Sequence, residues 1–141
     1  MPTRSASSIW EGGLKGGKGN YKGESGALAG SYSFSTRFGE EKGSNPEELI
    51  AAAHSACFSM ALAAGLEKAG KPATKVDTKA AVTVELQGGG FTITGIKLTT
   101  RASVAGISKE DFQKISEETK KGCPVSKALA AVKIELDAQL A

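Results

Sequence analysis

The chain lacks most of what would assign a protein to a broad class at once. It has no dense run of lysine or arginine, and its net charge is only +3 over 141 residues, which argues against a nucleic-acid partner. Met1 to Trp10 hold no apolar core of the secretory type. No unbroken apolar run approaches the ~18 residues of a membrane span, because the Ala-rich stretches are interrupted at His54, Ser55 and Ser59. The expectation is a cytoplasmic protein with no membrane partner. One histidine and two cysteines supply three candidate ligands of these types where structural zinc takes four, so neither a metal nor a cofactor is expected. There is no internal repeat and no linker. The length suits a single domain over residues 1–141.

What is present divides into a Gly- and Ser-rich first third and a more regular remainder. Ser5–Glu11, Gly17–Lys22 and Ser31–Phe38 read as short strands. In the last of them Tyr32, Phe34, Thr36 and Phe38 would share one face. The clearest helix follows. Asn45 is a good N-cap, Pro46 suits the first helical position, and Glu48 falls three residues after the cap. Lys68, Gly70 and Pro72 form the stop. Small apolar residues on nearly every side predict a helix packed on most faces.

Thr78–Leu86 alternates, the glycines at 88–90 make a turn, and Phe91–Val104 alternates in two phases that exchange at Gly95, as a β-bulge would read. Ser108 caps a second helix ending at Gly122. Cys123-Pro124 opens a short third helix to about Ala130, and Val132–Leu140 is the last strand. The class is α+β, with antiparallel strands around a long helix. A helix of ~36 Å is hard to wrap in a domain whose radius of gyration is roughly 14 Å. The remedy is a second copy of the chain, in an intimate homodimer with the long helices in or near the shared core.

Four side chains and a histidine bear chemistry. Cys57, in mid-helix, is either a small buried hydrophobe or a reactive thiol. Cys123 is either an incidental cap or a thiol favoured as thiolate by a helix N-terminus, with Lys120, Lys121 and Lys127 nearby in sequence. His54 shares a helix face with Cys57. It reads as a core or helix-surface histidine, with a zinc ligand or a base as alternatives. Glu47 lies ten residues before Cys57, about 15 Å along the helix axis. It is either a carboxylate favoured by the helix dipole or part of a thiol site across a dimer. Arg37 alone could be any strand residue.

Together these residues carry a resemblance. Trp10-Glu11-Gly12, Gly17-Lys18-Gly19 and Glu24-Ser25-Gly26 come first. Thr36-Arg37-Phe38, Asn45-Pro46-Glu47-Glu48-Leu49, His54-Ser55-Ala56-Cys57-Phe58-Ser59-Met60 and Gly122-Cys123-Pro124-Val125-Ser126 follow in order. The set resembles the OsmC/Ohr family of hydroperoxide-reducing proteins, over about Ile9 to Leu140. The N-terminal segment and the position of Arg37 resemble the OsmC (osmotically inducible protein C) branch. The resemblance implies an intertwined OsmC-like homodimer, antiparallel sheets packed around long central helices, and two sites at the interface. It implies that Cys57 is the peroxidatic cysteine and Cys123 the resolving one, with Arg37 and Glu47 paired beside the reactive sulfur.

It implies a thiol peroxidase for organic hydroperoxides and, less well, hydrogen peroxide, acting in oxidative and osmotic stress. A dithiol of the lipoyl type would be the reductant. Phe38, Phe58 and Met60 are expected around the mouth of the site. A non-enzymatic redox sensor using the same cysteines, and a dimer whose cysteines only pack, are the rival readings.

Overall fold

Asn45 turns the chain into its longest helix by accepting a hydrogen bond from the Glu48 amide through its side-chain oxygen (2.8 Å), which satisfies a donor the helix start would otherwise leave bare. In the computed structural model, which describes all 141 residues, the order is β1 (Ala6–Glu11), β2 (Lys18–Gly23), β3 (Ala29–Tyr32), α1 (Phe34–Phe38), α2 (Pro46–Lys68), β4 (Ala73–Gln87), β5 (Gly90–Val104), α3 (Lys109–Gly122), α4 (Pro124–Ala128) and β6 (Lys133–Leu140). The chain forms two compact units, Met1–Leu49 and Ile50–Ala141, and α2 runs from the first into the second.

The first unit holds an antiparallel sheet in the order β1-β2-β3. Gly19 sits opposite both Trp10 and Tyr32, and a Cβ there would come within 2.6 Å of the Tyr32 ring and 2.8 Å of Trp10. Only glycine admits the two rings, whose centroids are 5.5 Å apart. Every residue of β1 is exposed, including Ile9 and Trp10.

The segment read as a single strand to Phe38 divides instead. β3 stops at Tyr32, and Ser33 then caps α1 in a capping box. The Ser33 side chain accepts from the Thr36 amide (3.2 Å), and the Ser33 amide donates to the Thr36 hydroxyl (2.9 Å). A spacing of four suits both a strand face and a helix face, so Phe34 and Phe38 still meet, at 5.2 Å. The two hydroxyls three residues apart settle the matter for helix.

The second unit holds the main core. β4 and β5 form a long antiparallel hairpin closed by Gly88 and Gly89, both at positive φ (56° and 83°), the backbone of the tight turns that match strand twist. Thr83 pairs with Gly95 and Val84 with Ile93, so Thr94 is the extra residue of a bulge, at the phase change read from sequence. β6 pairs with β5 in parallel, which departs from the all-antiparallel expectation. The chain leaves β5, crosses through α3 and α4 and re-enters in the same direction, as a helical crossover requires. Phe58, Leu62 and Leu66 of α2 pack in one cluster with Leu98 and Ala102 of β5, Phe112 of α3, Cys123 and Ala138.

Besides Glu47 in its first turn, α2 is buried along one stripe: His54, Phe58, Leu62 and Leu66, at intervals of four. Ala52, Ala53, Ala56, Met60 and Ala64 are exposed, so within one chain the helix is not packed on most faces. Its most apolar 18-residue stretch has a mean hydropathy of 1.7 and is 22% buried. By length and composition alone α2 could cross a membrane, contrary to the reading of its interruptions. His54, Ser55 and Ser59 are too few to offset a background of alanine, leucine and isoleucine.

Candidate active site

Cys57 stands beside the buried stripe of α2 and is half-buried. Cys123 is the joint between two helices, closing α3 with its amide on the Thr119 carbonyl (2.9 Å) and preceding Pro124 of α4. Packing of α2 in the common core brings the two sulfurs, 66 residues apart in sequence, to 3.1 Å. Both are free thiols, and Cys123 is only 1% exposed. A disulfide needs about 2.05 Å, so closing the bond takes a movement of about 1 Å.

The two thiols are not electrostatically alike. Burial pushes the Cys57 thiol up; the Val125 amide opposes this, and the Cys123 thiol adds to it. Burial pushes Cys123 up as well, but the Ser126 amide, the Cys57 thiol, the Ser126 hydroxyl and the Val125 amide together outweigh it and bring Cys123 below its ordinary value. Nothing within this unit makes Cys57 the more acidic thiol. His54 is fully buried, its Nε2 lies 2.7 Å from Ser126 Oγ, and burial lowers its pKa below the ordinary 6.5. It is a core histidine with one polar partner. The sequence reading gave Ser126 no role. Its place three residues after Cys123, across a Pro-initiated turn, is the signal that was available.

Arg37 and Glu47 meet in the first unit. α1 ends with Arg37 in its last turn, and Glu47 is in the first turn of α2. The guanidinium grips the carboxylate as a fork, Nη2 to Oε1 at 2.8 Å and Nε to Oε2 at 3.1 Å. Glu47 is 8% exposed and Arg37 35% at the side chain, so one face of the cation stays open. The Asn45 side-chain amide donates to the Thr36 carbonyl (2.9 Å), tying the end of α1 to the start of α2. Trp10, Leu14, Tyr32, Phe34 and Phe38 line a pocket of about 280 Å³ against Arg37.

The four expected residues therefore fall into two close pairs, Arg37 with Glu47 in the first unit and Cys57 with Cys123 in the second. Phe38 lines an aromatic pocket. Phe58 does not line a mouth: it is fully buried in the core cluster, because its place in the stripe at intervals of four turns it inward. Met60 points away from that stripe and is 78% exposed.

Comparison with known proteins gives concordant results. The family of OsmC-like proteins matches residues 39–137. A protein of Escherichia coli (strain K12) named peroxiredoxin OsmC is 51% identical over 132 residues, covering 93% of this chain and 92% of that one. Among solved structures, an organic hydroperoxide resistance protein from Elizabethkingia anophelis aligns with a TM-score of 0.72 at 27% identity, covering 100% of this chain and 96% of that one. The organic hydroperoxide resistance protein OhrB of Bacillus subtilis shares the fold, with a TM-score of 0.75 at 24% identity, covering 96% and 98% of the two chains.

Proposed function

The chain belongs to the family of OsmC-like proteins, and from that membership we propose a cysteine-based peroxidase that reduces organic hydroperoxides, with Cys57 as the attacking thiol and Cys123 as the resolving one. The observation that carries this reading is the approach of two free sulfurs to 3.1 Å. Exposure supports these roles: Cys57 is half-buried and within a peroxide's reach, whereas Cys123 is 1% exposed.

The Cys57 thiolate attacks the O–O bond, the alcohol leaves, and Cys57 becomes a sulfenic acid. Cys123 condenses with it before further oxidation, and an external dithiol, of the lipoyl type in this reading, restores both thiols by exchange. A thiol near pKa 8.5 is only a few per cent thiolate at about pH 7, and the surroundings within its own unit push Cys57 higher. Bringing it from about 8.5 to about 6 takes ~3.4 kcal/mol of differential stabilisation. A guanidinium held in a fork by a carboxylate is a suitable source.

Glu47 precedes Cys57 by ten residues on one helix, so the Arg37–Glu47 pair of each protomer is assigned to the partner subunit's Cys57. This requires a homodimer, and the exposed Ala and Met face of α2 and the exposed strand β1 both support one. The aromatic pocket against Arg37 is assigned to the organic part of the hydroperoxide. In this reading residues 1–141 act as one OsmC-like domain in the cytoplasm.

Two variants test the assignment, with cumene hydroperoxide and a lipoyl dithiol. Cys57→Ser abolishes turnover. Cys123→Ser reduces one equivalent of hydroperoxide at the normal rate and then stalls as a sulfenic acid, identified by mass. A Cys57→Ser protein that still turns over ends the proposal. A wild-type protein that is oxidised once by peroxide but is not recycled by any thiol is the redox sensor instead.

A further inference from the structure

His54 is the one histidine of the chain, it is fully buried, and its Nδ1 has no hydrogen-bond partner. An unmet buried polar atom costs roughly 1–3 kcal/mol, so packing alone gives no reason for an imidazole at this position in the stripe. Its other nitrogen does have a partner. Nε2 meets Ser126 Oγ at 2.7 Å, the Ser126 hydroxyl favours the thiolate of Cys123, three residues before it at the start of α4, and the Cys123 sulfur lies 3.1 Å from Cys57. A row of polar groups thus leads from the reactive pair into the core and stops at an imidazole.

We infer that His54, acting through Ser126, takes up the proton that Cys123 must lose when it closes the disulfide with Cys57. The inference rests on the peroxidase reading above and concerns its second step. In that step the Cys57 sulfenic acid and the Cys123 thiol become one disulfide and one water. The S–O bond breaks and the S–S bond forms; the Cys57 sulfur is reduced and the Cys123 sulfur oxidised. The proton leaving Cys123 passes to the Ser126 oxygen as the Ser126 hydroxyl proton passes to Nε2. The leaving oxygen departs as water with one proton from solvent, and His54 later returns one to solvent.

The surroundings suit that task. A hydroxyl accepts and donates at once, and 2.7 Å is within the reach expected of a general base. Burial is what shifts His54, and it shifts it downward, which favours the neutral ring; the relay uses its Nδ1–H tautomer, in which Nε2 accepts from the Ser126 hydroxyl. The Ser126 and Val125 amides and the Ser126 hydroxyl then hold the thiolate at Cys123. His54 does not touch the reacting sulfurs; it is a positioning residue that holds a proton.

The test separates the two oxidation steps in the reduced full-length protein. One equivalent of cumene hydroperoxide is added, the reaction is quenched at intervals with dimedone, and the intact mass gives sulfenic acid and disulfide. His54→Gln retains an amide that can reach Ser126 but is no base, and Ser126→Ala breaks the row with little change in volume. In both, sulfenic acid forms at the wild-type rate, while its conversion to disulfide slows by roughly 10²-fold. That conversion then accelerates with rising pH as Cys123 ionises without help.

Closure at the wild-type rate in both variants overturns the inference, as does equal slowing of both steps, which marks a structural role. If His54→Gln does not fold, Ser126→Ala decides alone. A wild-type protein whose Cys57 is not oxidised at all refutes the peroxidase reading itself. Normal closure in the variants, with normal wild-type chemistry, refutes only the relay.

Discussion

At the scale of single residues, the two cysteines are set apart by their neighbours. Cys123 has two backbone amides and a hydroxyl to hold negative charge, whereas Cys57 has one amide and a competing thiol. If the Arg37 guanidinium supplies what Cys57 lacks, Arg37→Ala raises the thiolate pKa of Cys57, read from thiolate absorbance in Cys123→Ser protein. An unchanged value removes Arg37 from that role. His54 gives a separate pH dependence. Its native pKa lies below the ordinary 6.5, so on acidification the unfolded chain takes up a proton before the native one does. The stability this group contributes is present above the unfolded value and is lost as pH falls toward the native one. The urea midpoint should drop between about pH 7.5 and about pH 5.5, and the drop should be smaller in His54→Gln.

At the scale of elements, what could be read from sequence is what is specified locally. The Asn45 cap, the Ser108 cap, the glycine turn and the bulge at Gly95 each depend on a few adjacent residues, and each is found where it was read. α1 was missed because Phe34 and Phe38 fit both periods, and the deciding hydroxyls of Ser33 and Thr36 are a quieter signal than two aromatic rings. The direction of β6 was missed because it depends on where the chain re-enters the sheet. The same holds for the site. Cys57 and Cys123 were singled out as residues, but their approach across 66 positions is tertiary, and so is the burial of His54 against Ser126. Asn45 links these scales, since it caps α2 and also holds the Thr36 carbonyl. Asn45→Ala should cost about 1–2 kcal/mol in urea unfolding and should weaken peroxidase activity through the Arg37–Glu47 pair. A loss below a few tenths of a kcal/mol would mean that the cap is replaced by water.

At the scale of the whole molecule, α2 presents two unlike faces, a core stripe and an outer face of alanines around Met60. Dimerisation through that outer face predicts a light-scattering mass of twice the 14.4 kDa chain. Met60→Asp, which would place a charge in an apolar contact, should shift the mass toward that of one chain. A wild-type protein of single-chain mass at micromolar concentration excludes the dimer and with it the shared site.

The placement of the two sulfurs also ties oxidation to rigidity. A bond between them would staple the middle of the long helix to the α3–α4 joint and close a loop of 66 residues, a constraint worth about 4 kcal/mol against the unfolded chain. Each catalytic round would thus alternately lock and release the core of the second unit. Melting temperature would then record redox history, with the resting reduced enzyme the softer of its two forms.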